Sequence, residues 1–321
     1  MGLKSFLFRH SGFAKRLEHS RLELKQKLVQ ARTEIRSFKE ALREAKKAVG
    51  QPPPRSPETE AALAAALQEL GASPPPPHVP ALHEILRRLN LAVSDCDIMM
   101  KKASPLHYLQ TGVSALAAIN EGAPDLAACP PKRILDFGSG YGRVARFLKA
   151  AWPEADLQIC DIDFAGLAFC FSHLGMRGFQ IGTDPRAIQI GTGYDLIWVG
   201  SVVTHLDAPV IDQLLTTLAA ALAPGGCLCF TAHGDHPVQR LKDGASLYDL
   251  DPGSIPQIVQ GYEQDGFGYA DYPQQQGYGI SATSPEWIRQ KVDEIDGLRC
   301  TAHLPRGWAS HQDVVVCRRA D

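Results

Sequence analysis

The sequence predicts a doubly wound α/β fold with a seven-stranded, mostly parallel sheet and an N-terminal helical coiled-coil extension. Three observations predict it. From about residue 130, short apolar runs alternate with amphipathic stretches, and near-continuous apolar strands separated by helices belong to a parallel sheet covered on both faces. One such run ends at Phe137 in a cluster of glycines followed by a helical pattern, an arrangement that lets backbone approach a ligand closely. Far upstream, Leu24, Leu28, Ala31, Ile35, Phe38, Leu42, Ala45 and Val49 follow one another at alternating steps of four and three residues, the period of a coiled-coil seam.

Taken in order, residues 1–50 carry 13 Lys and Arg against 5 Glu, a balance of +8 in a chain whose net charge is −2. A basic head on an acidic body directs any anionic partner, including peripheral contact with an anionic membrane, to the N-terminus. The stripe over residues 17–49 predicts self-association, with an amphipathic helix folded back on its own domain as the alternative. Prolines at 52–54, 57 and 74–77 then predict a linker over 51–79 that holds one short helix. A globular domain is expected over 80–321. Its strands fall at 133–137, 157–162, 179–181, 194–201 and 227–231, with helices at 143–152, 164–174 and 209–222. Two late strand-like runs, 298–302 and 313–317, predict an antiparallel pair at the sheet edge, and 234–284 reads as a long, irregular, polar insertion.

The eight cysteines are scattered, with no CxxC pair and no zinc-ligand spacing. Several sit inside apolar runs, as buried reduced cysteine does, which predicts a reducing, cytoplasmic compartment. No run approaches the roughly 18 apolar residues of a membrane span.

Asp136, Gly138, Ser139, Gly140 and Gly142 form the glycine loop, with GxGxG spacing. The position where a dinucleotide-binding GxGxxG places its third glycine holds Arg143. Asp136 precedes the first glycine by two residues, placed to face a cationic amino group. Asp161 ends the next strand 19 residues after Gly142, a distance that suits a carboxylate accepting both hydroxyls of a ribose. By position Asp163 is the helix N-cap.

These residues resemble the class I S-adenosyl-L-methionine (AdoMet)-dependent methyltransferases. Residues 136–142 are similar to that family's first motif, 160–163 to its ribose-binding acid, 194–206 to its fourth-strand motif and 222–226 to the turn before its fifth strand. The resemblance implies a cofactor site built from Asp136, Gly138, Ser139, Gly140, Gly142, Asp161, Ile162 and Ser201, with Asp184 as a further candidate near the adenine and no metal. It implies an enzyme in which the cofactor carries the electrophile while the protein aligns the acceptor.

A hydroxyl acceptor also needs a base. His205, after the fourth strand, and His233, after the fifth, are the candidates at the edge where such folds bind ligands; His311 and Asp313 are weaker ones. Five of the eight tyrosines, 248, 262, 269, 272 and 278, fall in the insertion. Their stacking faces and hydroxyls suit a saccharide or similar polar small molecule. The C-terminal part resembles bacterial methyltransferases that accompany glycosyltransferases in surface-polysaccharide synthesis, so O-methylation of a saccharide hydroxyl is expected. N-methylation of a small metabolite and a non-catalytic AdoMet-fold scaffold are the alternatives. An acidic body without basic, aromatic-interleaved patches weighs against nucleic acid.

Overall fold

A computed structural model describes residues 57–184, 187–273 and 275–320. The chain divides into two compact units, Met1–Pro54 and Arg55–Asp321, and the described residues all fall in the second. The predicted coil over 17–49 lies outside them.

Four helices precede the first strand: α1 (Pro57–Ala72), α2 (Leu82–Arg88), α3 (Ile98–Lys102) and α4 (Pro105–Gly122). Helix α4 starts where the sequence says it should, because the Ser104 hydroxyl accepts the His107 N–H and Pro105 occupies the first turn. Helix α1 corrects the linker expectation. Its Leu63, Ala66 and Leu70 are buried in the main core, so from Pro57 onward the chain belongs to the globular unit and does not act as a spacer. Leu63→Ala should therefore destabilise the fold by roughly 2–5 kcal/mol, as for other large-to-small core changes. Unchanged denaturant unfolding in this variant would return α1 to a linker role.

The sheet is built from β1 (Arg133–Phe137), β2 (Asp156–Asp161), β3 (Arg177–Gln180), β4 (Tyr194–Val199), β5 (Leu222–Ala232), β8 (Leu298–Trp308) and β9 (Gln312–Arg319). Their order is β3-β2-β1-β4-β5-β9-β8. The first five are parallel, whereas β9 runs antiparallel to both β5 and β8. The expected edge pair is present, but longer than its apolar runs suggested. β8 continues through the Pro/Gly/Trp stretch with a register shift between Leu304 and Trp308. Helices α5 (Ala145–Ala151), α6 (Phe164–His173), α7 (Ala208–Ala221) and α10 (Pro285–Asp293) complete the layers.

The strand period of two divides the core. Ile134, Ile159, Leu196, Trp198, Cys229 and Val316 pack with α1, α2 and α4–α6 on one face. Leu135, Phe137, Cys160, Ile197, Val199, Phe230 and Val315 pack with α7 and α10 on the other. Burial on both faces is why these strands read as apolar runs. All eight cysteines are free thiols. Among the described residues no helix is long and apolar enough to cross a membrane.

The segment expected to be irregular is ordered. It holds α8 (Asp235–Lys242), α9 (Ile255–Asp265) and a hairpin of β6 (Phe267–Tyr272) and β7 (Gln275–Thr283). These elements form a cap that shares a small apolar cluster of Val238, Leu241, Leu250, Ile258, Ala270, Ile280 and Ala282. Three ties hold the hairpin over the carboxyl ends of β4 and β5. The Ser281 hydroxyl donates to Val203 O at 2.8 Å, Thr283 N–H donates to His233 O at 2.9 Å, and His205 Nδ1 lies 2.9 Å from Gly279 O.

Candidate active site

The glycine loop follows β1. Gly138, Gly140 and Gly142 all adopt left-handed φ, between 51° and 77°, where a side chain is strained. A Cβ on Gly138 would meet Val202 at 2.4 Å, and one on Gly142 would meet Leu174 at 2.6 Å. Gly140 differs, since a Cβ there would meet nothing within 4 Å. Packing accounts for the outer two glycines, and open space lies against the middle one.

Asp136 is 2% exposed. It accepts the Ala145 N–H at the start of α5, while its Oδ2 is buried with no hydrogen-bond partner. Burial, and then the neighbouring charge of Asp161, push its pKa up to about 8. Asp161 closes β2 and is anchored at both oxygens: Oδ2 accepts the Gly140 N–H at 2.6 Å and Oδ1 the Asp163 N–H at 2.7 Å. Burial raises its pKa and these backbone donors oppose the shift. Asp163 caps α6 through the Ala165 N–H, as its position predicted. Ile162, between the two acids, leaves an apolar side chain 50% exposed beside them. Asp184 is exposed and closes a turn with Ala187.

Six buried side-chain polar atoms among the described residues have no partner, and four of them line the carboxyl edge of the sheet: Asp136 Oδ2, Ser139 Oγ, Trp198 Nε1 and Gln312 Oε1. Unsatisfied buried polar groups are rare and each costs roughly 1–3 kcal/mol. Such a set beside open space fits a polar ligand that supplies the missing partners.

On the other side of the site, Ser201 holds a left-handed φ of 58°, fixed by its N–H bond to Thr231 Oγ1 at 2.7 Å. A serine held there is strained by its surroundings. The strand-end turn 203–205 then delivers His205, whose ring stacks on Tyr278 with centroids 5.1 Å apart and lies 5.9 Å from Tyr272. The Gly279 carbonyl can only accept, so neutral His205 carries its proton on Nδ1, where the Tyr272 hydroxyl also lies at 3.2 Å, and Nε2 keeps the lone pair. Burial lowers the His205 pKa and the Gly279 bond opposes this. Burial, and then the charge of Asp161, raise the pKa of Tyr278, the tyrosine stacked on His205.

His233 is placed differently. It is 3% exposed, its Nδ1 faces Ser281 O at 3.1 Å and its Nε2 faces Gln312 Nε2 at 3.4 Å. The amide nitrogen of Gln312 donates to Nε2, so both imidazole nitrogens are engaged. Burial, with His205 and His311 nearby, lowers its pKa to about 3. His311 bonds the Tyr248 hydroxyl at 3.0 Å, and Asp313 pairs with His303 at 2.8 Å while accepting the Arg306 N–H. Of the histidine candidates, His205 has the nitrogen best placed to take a proton. Sequence reasoning missed Tyr272 and Tyr278 as partners of His205 and missed Gln312 entirely; only the tyrosine content of the insertion signalled the first two.

The Asp136 shift has a consequence for the free protein. The fold holds this proton to about pH 8 against an ordinary value of 3.8. The native state therefore binds the extra proton between those values, and this group makes stability fall as pH rises across that window. Asp136→Asn should melt close to wild type near pH 4 and above it near pH 8. Identical melting temperatures for the two proteins across that range would contradict the assignment.

The family model described as "Methyltransferase domain" matches residues 135–228. A malonyl-[acyl-carrier protein] O-methyltransferase of Methylococcus capsulatus is 31% identical over 138 residues, 41% of this chain and 47% of that protein. A ribosomal RNA small subunit methyltransferase C of Hahella chejuensis is 25% identical over 170 residues, 50% of this chain and 48% of that protein. A solved 1,6-didemethyltoxoflavin-N1-methyltransferase of Burkholderia thailandensis aligns with a TM-score of 0.45 at 12% identity, covering 84% of this chain and 92% of that one. The chain spans about half the length of these two curated relatives. The class defined by the fold and the glycine loop is that of the class I AdoMet-dependent methyltransferases. Residues 135–228 are a methyltransferase domain.

Proposed function

We propose that this chain is an AdoMet-dependent O-methyltransferase acting on a hydroxyl of a saccharide or similar polar small molecule, with His205 as general base. The observation that carries the reading is the His205 imidazole, with Nδ1 facing a carbonyl and Nε2 left to accept, under two tyrosines of the cap. In this reading Asp136 Oδ2 takes the ammonium of the cofactor, Asp161 accepts from its ribose hydroxyls, and Ile162 covers the adenine. The glycine loop, with Ser139, and Ser201 lie along the cofactor's remaining length. When bound, AdoMet supplies an electrophilic methyl group.

The chain's own residues supply alignment and proton handling. Tyr272 and Tyr278 exclude water above His205, and His205 Nε2 receives the acceptor's hydroxyl proton as oxygen becomes nucleophilic. His233 stays neutral and holds the cap through Ser281. The cap tyrosines offer stacking faces to a sugar or another polar ring. One of the relatives is a ribosomal RNA methyltransferase, so nucleic acid belongs on the acceptor panel. The test is incubation with methyl-labelled AdoMet and separate panels of saccharides, acyl-carrier thioesters, amines and RNA. Label appearing in an alkali-stable ether on a saccharide supports the reading, and label on nitrogen only would replace it with amine methylation.

A further inference from the structure

Helix α8 of the cap and the β8–β9 turn bring four basic side chains together. His236 and Arg240 lie one helical turn apart on α8, Arg306 near the end of β8 and His311 just before β9. The His236 and His311 rings meet edge to face with centroids 5.5 Å apart, and the Tyr248 hydroxyl lies 3.0 Å from His311 Nε2. His311 also continues inward, its ring 6.0 Å from that of His233, which in turn feels the charge of His205. The cluster therefore leads from half-buried and exposed positions to the neighbour of the proposed base.

No carboxylate neutralises these groups. Among the described residues neither Arg240 nor Arg306 forms an ion pair; Arg240 Nη2 donates to Ala245 O at 3.2 Å and Arg306 Nε to Ser310 O at 3.0 Å, so each guanidinium has donors to spare. The nearby acids are committed elsewhere: Asp313 to His303 and the Arg306 N–H, Asp235 to the Tyr262 hydroxyl, Asp243 to Gln239 and Asp249 to Lys102. Burial, and then the charges of His236, Arg240 and Arg306, hold the His311 pKa down to about 4. Burial, followed by Arg306 and Arg240, lowers that of His236, with Asp313 opposing. The backbone is strained in the same place. Six non-glycine residues among those described hold a left-handed φ; one is Ser201, and the other five, Tyr248, Asp249, Arg306, Ala309 and Ser310, carry or flank this cluster. Such strain gathers at sites that hold ligands.

We propose that His236, Arg240, Arg306 and His311 bind a phosphate group carried by the acceptor, whose saccharide then lies inward toward His205. Two arginine forks and two imidazoles suit the oxygens of a phosphate ester or diphosphate, whereas a neutral saccharide would leave the positive charge unanswered. This rests on the reading that the acceptor hydroxyl lies at His205, and it narrows the substrate class to glycosyl phosphates and diphosphates.

The experiment follows the imidazole NMR signals of the full chain during titration with inorganic pyrophosphate. It compares wild type, Arg240→Gln, Arg306→Gln and Arg306→Lys, each checked by thermal melting and by AdoMet affinity. Wild type should show saturable shifts at His236 and His311, with their pKa values rising as the anion answers the positive charge, while the exposed His78, His83 and His107 stay still. Each glutamine variant should weaken binding about 10-fold, the low end for a hydrogen bond to a charged group because the site is open to water. Arg306→Lys should keep part of the affinity. Shifts that fail to saturate, or that survive both glutamine variants unchanged, overturn the assignment. In the transfer assay on the first acceptor found, pyrophosphate should raise the KM for acceptor without lowering kcat, and an unchanged KM overturns the acceptor role. Label on nitrogen only would overturn the hydroxyl reading, while saturable shifts in the same protein would still support the phosphate site.

Discussion

His205→Ala is expected to lower turnover roughly 10²–10⁴-fold, the usual contribution of a positioned base, with AdoMet affinity nearly unchanged. The separation follows from position. His205 sits under Tyr272 and Tyr278 on the cap side, whereas the residues assigned to the cofactor belong to the glycine loop, the end of β2 and, at Ser201, the turn that precedes His205. The base must be neutral, so activity should rise with pH through its pKa and then level off. Burial lowers that pKa from its ordinary 6.5, which places the inflection on the acid side of that value. His233→Ala is the control. Its two engaged nitrogens tie the cap to β9, so its loss should show first in stability and in turnover less than that of His205. A pH–rate profile of both variants decides the matter. Wild-type turnover in His205→Ala would remove the base and favour an amine acceptor, which needs none.

Asp161→Ala should weaken AdoMet binding by roughly 10²–10⁴-fold, corresponding to two charge-assisted hydrogen bonds of roughly 1.5–3 kcal/mol each. The alanine also frees the Gly140 and Asp163 N–H groups, so part of the loss comes from a slackened loop. Asp161→Asn separates the two. Its amide oxygen can still accept from Gly140, which should keep the melting temperature nearer to wild type, while the lost charge and the amide donors still weaken the ribose contact. Calorimetry beside thermal melts distinguishes them, and wild-type AdoMet affinity in both variants would remove Asp161 from the site.

The sheet was legible because its strands are buried on both faces. Ile134 and Leu135, or Ile197 and Trp198, are all apolar though they point to opposite layers, and each run stands out against the helices between. The glycine loop was legible for a local reason, since three left-handed positions in five residues leave little choice of residue. Helix α1 was misread because prolines flank it and alanines fill it. Its buried residues Leu63, Ala66 and Leu70 nonetheless fall at i, i+3 and i+7, a helix face that counting would have found. The cap gave no such signal. Its core is seven residues, six drawn from four elements and Leu250 from a loop, too sparse for periodicity over any one of them, and β6 and β7 carry Gly, Gln and Tyr where a buried strand would carry branched residues. His205 was reachable from its place after β4, but the tautomer that makes it a base depends on Gly279, 74 residues downstream, which no local pattern reveals.

The most direct measurement is calorimetric titration of the full chain with AdoMet and, separately, with NAD. A glycine loop whose next-strand acid is held by Gly140 N–H and whose following residue is Arg143 predicts saturable binding of AdoMet and none of NAD. Saturable binding of NAD with no affinity for AdoMet would contradict the account at its base.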